Sequence, residues 1–412
     1  VNSKLLNNIL RHMHENNLNK TMLSKKSGLH IREISRILNS KQSLSLHNLD
    51  SLTKAFALDE DTFYLYYIDE CFLENGFLNK RRSEPFLYTC AAKGFEEPLH
   101  QLLDTILVER SKPILTKNLD HVFTVAEALF RDGKEKESLC LYEIIIENMP
   151  NHFSEKVAIS YFRKFYLVKG TEEEQNTLIL ILKHLQYMPF EFQLLSYWTI
   201  AGHYYHRRQW DNVLYYAKIL EQTAKEGKYY AEALLLQAFA LKKSGSSLNE
   251  ILELIDKSAQ VNEFYADIAK GNRLFTYIEF GQLDYLDQCL SWYKESDYFY
   301  IALPLIIEGY VKVGRLEEAN QLLNHSQHLY NDFPTTKEPR RIELYLHFHY
   351  AQALYQCAQN EFEEGLQKLL FVANKAYELG NLKRFKHCLQ IFWKYKNHTT
   401  NDIENKFMEL LA

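Results

Sequence analysis

No run of apolar residues in this chain approaches the roughly 18 to 20 that a membrane-spanning helix needs, and the first residues lack the basic-then-apolar pattern of a secretion signal. A soluble, cytoplasmic protein is therefore expected. The six cysteines, Cys71, Cys90, Cys140, Cys289, Cys357 and Cys388, are dispersed and form no CxxC pair. That spacing argues against a disulfide framework or a zinc ribbon and predicts free thiols packed as small apolar groups in a reducing compartment. A chain of 412 residues has ample length to bury a core without such staples. Also missing are a Walker-type phosphate loop, a GxSxG elbow and a GxGxxG turn, and no nucleophile has a plausible base beside it. The histidine pairs 12/14, 203/206, 325/328 and 347/349 do not have the HExxH spacing that aims two ligands at one metal. Neither an enzyme nor a metal or cofactor site is expected.

What is present begins at Leu18. In LNKTMLSKKSGLHIREISRILNSK (Leu18 to Lys41), Asn19 is placed to cap a short helix, because its side-chain oxygen can accept an orphan amide hydrogen of the first turn. Leu23 then faces inward. Gly28 ends that helix, since glycine tolerates the positive φ of a tight reversal, and His30 opens a second helix with Ile34, Ile37 and Leu38 on its apolar side. A third amphipathic stretch, Ser45 to Phe56, repeats Leu46, Leu49, Leu52 and Phe56 at helical spacing. The pattern predicts a helix-turn-helix whose second helix enters the major groove.

Charge agrees with that prediction. Residues 1–58 hold nine Lys or Arg against three acids, a net +6, so the remaining 354 residues carry −11 of the total −5. A cationic module suits phosphate neutralisation, while the acidic remainder stays away from DNA. Arg32 and Arg36, one turn apart, point away from the apolar side. Each is a candidate to read guanine by a bidentate hydrogen bond, or else to touch phosphate only. His30 and Glu33 are further base-edge candidates, and Lys20, Lys25, Lys26 and Lys41 are expected to position the backbone or simply to remain solvated.

Beyond Asp59 the chain repeats one phrase: an apolar helix, a Gly or polar turn, a second apolar helix. Turns at Gly94, Gly133, Gly170, Gln209, Gly245, Gly281, Gly314 and Asn360 are separated by 39, 37, 39, 36, 36, 33 and 46 residues. Such a period predicts a helical-repeat solenoid. The clearest unit, Ile200 to Gln222, resembles a tetratricopeptide repeat (TPR), with small Gly202 expected to let helices approach, Trp210 at the turn and Ala217 in the second helix. Val311 to Leu323 and Phe130 to Ile146 are looser copies. The long last interval contains Asn331 to Arg341, whose two prolines and charge cluster predict a loop. After Gly380 the pattern changes to two amphipathic helices. A stacked repeat leaves its last apolar face open, so Phe385, Leu389, Phe392, Trp393, Phe407 and Leu410 are expected to form a homodimer contact rather than an internal cap.

The predicted class is thus all-α: a helix-turn-helix domain (1–58), a helical linker (59–93), a right-handed TPR-like solenoid (94–380) and C-terminal capping or dimerisation helices (381–412). This layout resembles the RRNPP peptide-pheromone receptors of Gram-positive bacteria and their phages. Leu18, Leu23, Gly28, Leu29, Ile34, Ser35, Arg36, Ile37 and Lys41 fall where the Xre-type helix-turn-helix pattern expects them, and Phe63 to Leu103 is most similar to the arbitrium-receptor (AimR) branch from temperate Bacillus phages. The resemblance implies a dimeric regulator that binds operator DNA and is switched by a short signalling peptide held by the first helices of successive repeats. In the arbitrium branch the peptide abolishes activation and favours lysogeny; other branches, of the PlcR or NprR type, require the peptide, so the sign of the response stays open. Two other functions also stay open: a Rap-like interaction protein that binds no DNA, and a repressor whose repeats hold a protein partner.

An extended peptide exposes amides and carbonyls that a groove must satisfy. The polar first-helix residues that could do so are His203, Tyr204, Gln237, Asn272, Arg273, Glu308 and Gln352, each of them equally a packing or solvent-facing residue. Asn272, next to Gly271, can both donate and accept. Glu308 suits an arginine, which peptides of the arbitrium branch commonly carry.

Overall fold

The computed structural model describes residues 3–330 and 339–411, and within them every regular element is helical apart from one antiparallel bridge between Phe72 and Leu78. The all-α class expected from the sequence is what forms. The chain divides into two compact units, Val1–Ser196 and Tyr197–Ala412. The first holds α1 (Ser3–Glu15), α2 (Lys20–Ser27), α3 (Ile31–Leu38), α4 (Leu46–Ala55), α5 (Tyr64–Tyr67), α6 (Lys80–Lys93), α7 (Glu96–Leu107), α8 (Lys112–Arg131), α9 (Glu135–Asn148), α10 (Glu155–Leu167) and α11 (Glu174–His184). Next come α12 (Phe190–His206), α13 (Trp210–Ala224), α14 (Gly227–Ser244), α15 (Leu248–Ala259), α16 (Glu263–Glu279), α17 (Leu286–Lys294) and α18 (Phe299–Lys312). The last are α19 (Leu316–Ser326), α20 (Pro339–Ala358), α21 (Phe362–Glu378), α22 (Leu382–Lys394) and α23 (Asn401–Leu411). Most of the expected loop at Asn331–Arg341, positions 331–338, lies outside the described residues, and α20 opens at Pro339.

Local chemistry sets the front helices. Asn19 caps α2 by accepting from the Met22 amide at 2.9 Å, and Ser45 caps α4 by accepting from the Asn48 amide at 3.2 Å. Gly28 takes φ 73° and its amide donates to the Ser24 carbonyl, while Ser24 Oγ donates to the Leu29 carbonyl at 2.6 Å. These bonds close the turn from α2 to α3. Ahead of them α1, which carries no motif, buries Leu5, Ile9 and Met13 at four-residue spacing against the same core.

The core of the first unit passes through positions 58/59 and 93/94 without a break, from Leu5 to Val157. Two tyrosines make it continuous. Tyr67 donates its hydroxyl to the Leu44 carbonyl at 2.9 Å, Tyr64 donates to Asp50 at 3.0 Å, and both rings pack on Phe86 of α6 at 5.7 and 5.2 Å. Segment 59–93, expected as a linker, is thus packed into this core. Aromatic rings bury the largest apolar areas available, and their hydroxyls are satisfied here by specific acceptors.

The expected turn glycines lie between paired helices with positive φ: Gly94, Gly133, Gly170, Gly245, Gly281 and Gly314, with Asn360 at 65° doing the same. In the turn expected at Gln209, it is Arg208, one residue earlier, that takes the positive φ of 58°. The close-approach role expected of Gly202 is not observed, because an added Cβ there meets nothing within 4 Å. Close approach occurs elsewhere in the second unit. Gly271 faces the Trp292 ring, Gly309 faces Leu286, and Gly365 of α21 faces Cys357 and the backbone of α20.

At the C-terminal end, Phe392 is buried and stacks on Phe407 at 4.2 Å with the planes 1° apart, and Ile403 is buried beside them. Phe385 and Leu410 pack on the same core. Four of the six residues expected at a dimer contact therefore cover the final repeat within the chain, which is cheaper than exposing them because each apolar ring shed from water contributes burial energy locally. Leu389 is half-buried and Trp393 stands 61% exposed, with Lys396 Nζ 4.0 Å from its ring centroid.

Gly365→Ala would place a methyl 2.7 Å from Cys357 Sγ and 3.1 Å from the Ala353 carbonyl oxygen. It should cost about 1–3 kcal/mol through overpacking. Gly202→Ala should be neutral or stabilising by up to about 1 kcal/mol through helix propensity. Urea midpoints of the two variants would check this, and equal midpoints would contradict the packing assignment.

Candidate nucleic-acid interface and ionic network

The roll of α3 is fixed by Ile34 and Ile37, both buried, with Leu38 packed beside them. The opposite side then carries exposed Arg32 and Arg36, while Ile31, 38% exposed, sits at the margin of the apolar face, about 60° round the helix from Ile34. Neither guanidinium has a hydrogen-bond or ion-pair partner among the described residues. Exposed Lys20, Lys25 and Lys26 lie on α2, and exposed Lys41 just beyond α3. Glu33 is the one acid on α3, and it is turned inward. Its Oε1 accepts from Asn48 Nδ2 at 2.7 Å and from Gln42 Nε2 at 3.4 Å. A residue weighed as a base-edge candidate is thus committed to bracing α3 against α4, which leaves the outer face cationic. His30 is the N-cap, its Nδ1 accepting from the Arg32 amide at 3.2 Å.

In the second unit the candidate peptide residues do not form one cluster. Gln237 is buried and donates to Glu221 of α13 at 2.7 Å. Arg273 forms an ion pair with Asp256 of α15. Both reach back to the preceding second helix. His203 is buried, and Tyr204 stacks on Tyr216 at 5.4 Å and 6°. Asn272 is half-buried, its carbonyl accepting from Thr276 Oγ1 at 2.7 Å, and its neighbour Gly271 is covered by the Trp292 indole instead of lying open.

Glu308 is the exception, because it sits at the centre of a network between first helices. Its carboxylate bonds His347 Nε2 of α20 at 3.2 Å and pairs with Lys312 at 2.8 Å. Burial pushes this carboxyl up, but the His347 hydrogen bond and the nearby cations outweigh it and hold it well below the usual range. Gln352 lies on α20, one turn from His349.

Around Glu308 lie charges that the sequence reading did not pick out. Lys242 and Lys243 of α14 pair with Glu279 of α16, Arg208 pairs with Glu343 of α20, and the Arg384 guanidinium lies 4.5 Å from the Tyr350 ring centroid. Burial raises the Glu279 carboxyl, yet the two lysines draw it down to about 2. A signal for these residues was available. Lys242, Lys243, Glu279 and Lys312 each lie two or three residues before a turn glycine, a recurring charged position at the ends of first helices. Such pairs tie neighbouring repeats together and are costly to break singly, since the abandoned charge stays buried.

Burial, together with the Lys368 charge, lowers His349 from 6.5 to about 4, so the folded chain holds it neutral where the unfolded chain binds a proton. Its contribution is therefore fully present above pH 6.5 and is lost as pH falls from there towards 4. Denaturant titrations at pH 7.5 and pH 5 should show a smaller acid loss for His349→Phe than for the wild type. An equal loss would remove His349 as the cause.

No family model matches the chain, and no curated protein matches it. Among solved structures, one described as the structure of selenomethionine phAimR is similar over 94% of this chain and 99% of that chain, at 12% identity and a TM-score of 0.41. No helix among the described residues is long and apolar enough to cross a membrane.

Proposed function

We propose that this chain is a DNA-binding transcriptional regulator of the peptide-switched kind. Its front helices act as a helix-turn-helix, and its repeats act as the sensor. The observation that carries this reading is the outer face of α3. Two arginines one turn apart stand open and unpaired, the helix's one acid is turned away to Asn48, and four exposed lysines flank it. A module of net +6 in 58 residues supports the same reading, because phosphate neutralisation supplies most of the affinity of such proteins. Arg32 and Arg36 would read base edges, while Lys20, Lys25, Lys26 and Lys41 would hold the backbone. A pair of such modules, one per protomer, would meet an inverted repeat.

The peptide role rests on Glu308. A largely buried carboxylate held by Lys312 and His347 is suited to a cationic side chain of an incoming peptide, which would displace these internal partners. Occupancy would change the ties between α18 and α20, and a ligand that prefers one arrangement of those helices shifts the population towards it.

Fluorescence anisotropy with duplexes that the full chain enriches from a random library tests the DNA reading. Arg32→Ala/Arg36→Ala should lose at least about tenfold in affinity for them, since a bidentate arginine–guanine pair discriminates by about 1–3 kcal/mol. Unchanged affinity would refute the assignment of α3. For the peptide, panning a random hexapeptide display library on the full chain should enrich Arg- or Lys-containing sequences, and Glu308→Gln should abolish that preference. Enrichment indifferent to positive charge would move the site away from Glu308.

A further inference from the structure

Resting on the reading of α3 as the helix that enters the major groove, we propose that Ile31 is a specificity residue. It would contact the 5-methyl group of a thymine within two base steps of the guanine read by arginine.

Ile31 lies at the margin between the apolar and the arginine-bearing faces of α3, and it is the one exposed apolar residue of that helix. Ile31 is its first helical residue and is 38% exposed, whereas Ile34 and Ile37 of the same helix are buried. Lone exposed apolar residues are ordinary. This one, however, stands at the end of the helix that approaches the base edges first, and it adjoins Arg32 in sequence. Its backbone is fixed by the His30 cap, whose Nδ1 accepts from the amide of Arg32, so the isoleucine and the arginine are presented together. β-branching limits its rotamers and keeps the Cγ methyl groups forward.

The thymine methyl is the one apolar group that base edges offer in the major groove. An apolar side chain among cations on a reading helix therefore has one complementary target there. From Ile31 to Arg36 the helix rises about 7.5 Å, which spans about two base steps of 3.4 Å each. The thymine would thus lie within two steps of the guanine. The adjacent Glu33 cannot compete for an exocyclic amine at this end of the helix, because Asn48 and Gln42 hold its carboxylate.

The test uses the full chain and duplexes it enriches from a randomised library. Each thymine is replaced in turn by deoxyuridine, which removes only the methyl. In the wild type, one position per half-site should lose about fourfold in affinity, the equivalent of burying one methyl at about 0.8 kcal/mol. Ile31→Ala should bind thymine and uracil duplexes equally, at the wild type's uracil level, and Ile31→Val should restore part of the difference. The proposal is overturned if no deoxyuridine position weakens the wild type, if the penalty persists in Ile31→Ala, or if Ile31→Ala loses both duplexes altogether. Enrichment of no duplex by the wild type would instead overturn the DNA reading itself, and this proposal with it.

Discussion

The orientation of α3 about its own axis is the constraint on which the functional account depends. Burial of Ile34 and Ile37 sets it, and the hydrogen bond from Asn48 to Glu33 locks it. With eight residues, α3 has little intrinsic stability, so its geometry comes from packing and caps rather than from propensity. A roll of one position, about 100°, towards Glu33 would bury Arg36 and expose an isoleucine. The pattern of buried and open side chains is therefore a statement about function as much as about stability.

The second determinant is the continuity of the core beneath this helix. Tyr64 and Tyr67 reach from a short helix to Asp50 and to the Leu44 carbonyl while their rings rest on Phe86. Within the first unit α2 to α4 are consequently built into the same core as α6 to α9. Burial and the hydrogen bond to Asp50 push the Tyr64 hydroxyl up in pKa, so it remains a donor at any physiological pH. In the second unit the coupling is of another kind. The ion pair of Lys242 with Glu279 and the hydrogen bond between Glu308 and His347, an imidazole that burial pushes towards its neutral form, join first helices, and each is sensitive to what replaces either partner.

Much of the fold was legible because short-range rules decided it. Asn19 and Gly28 act as the cap and turn that their chemistry predicts, and six of the eight expected repeat turns fall on glycines with positive φ. Reading failed where an outcome depended on a distant partner. Gly202 looked like a contact glycine by analogy with its repeat, yet contact depends on what the neighbouring helix carries, and Trp292 and Cys357 place it at Gly271 and Gly365 instead. The aromatic residues at the C-terminus were readable as apolar, but not as facing one another, as Phe392 and Phe407 do. Among the site residues, the exposure of Arg32 and Arg36 followed from helical periodicity, whereas the diversion of Glu33 to Asn48, fifteen residues away, did not. The first-helix polar residues were the least legible, since a side chain's choice between a ligand and an internal partner is settled by tertiary neighbours.

We propose that α3 reads base edges in the major groove. Dimethyl sulfate probing of a duplex bound by the full chain tests it most directly, because the reagent methylates guanine N7 in the major groove and adenine N3 in the minor. With α3 in the major groove, guanine N7 is expected to be protected at two symmetric positions one helical turn apart, about 34–36 Å, with adenine N3 unprotected between them. Protection confined to adenine N3, or none in a duplex that is demonstrably bound, would contradict it.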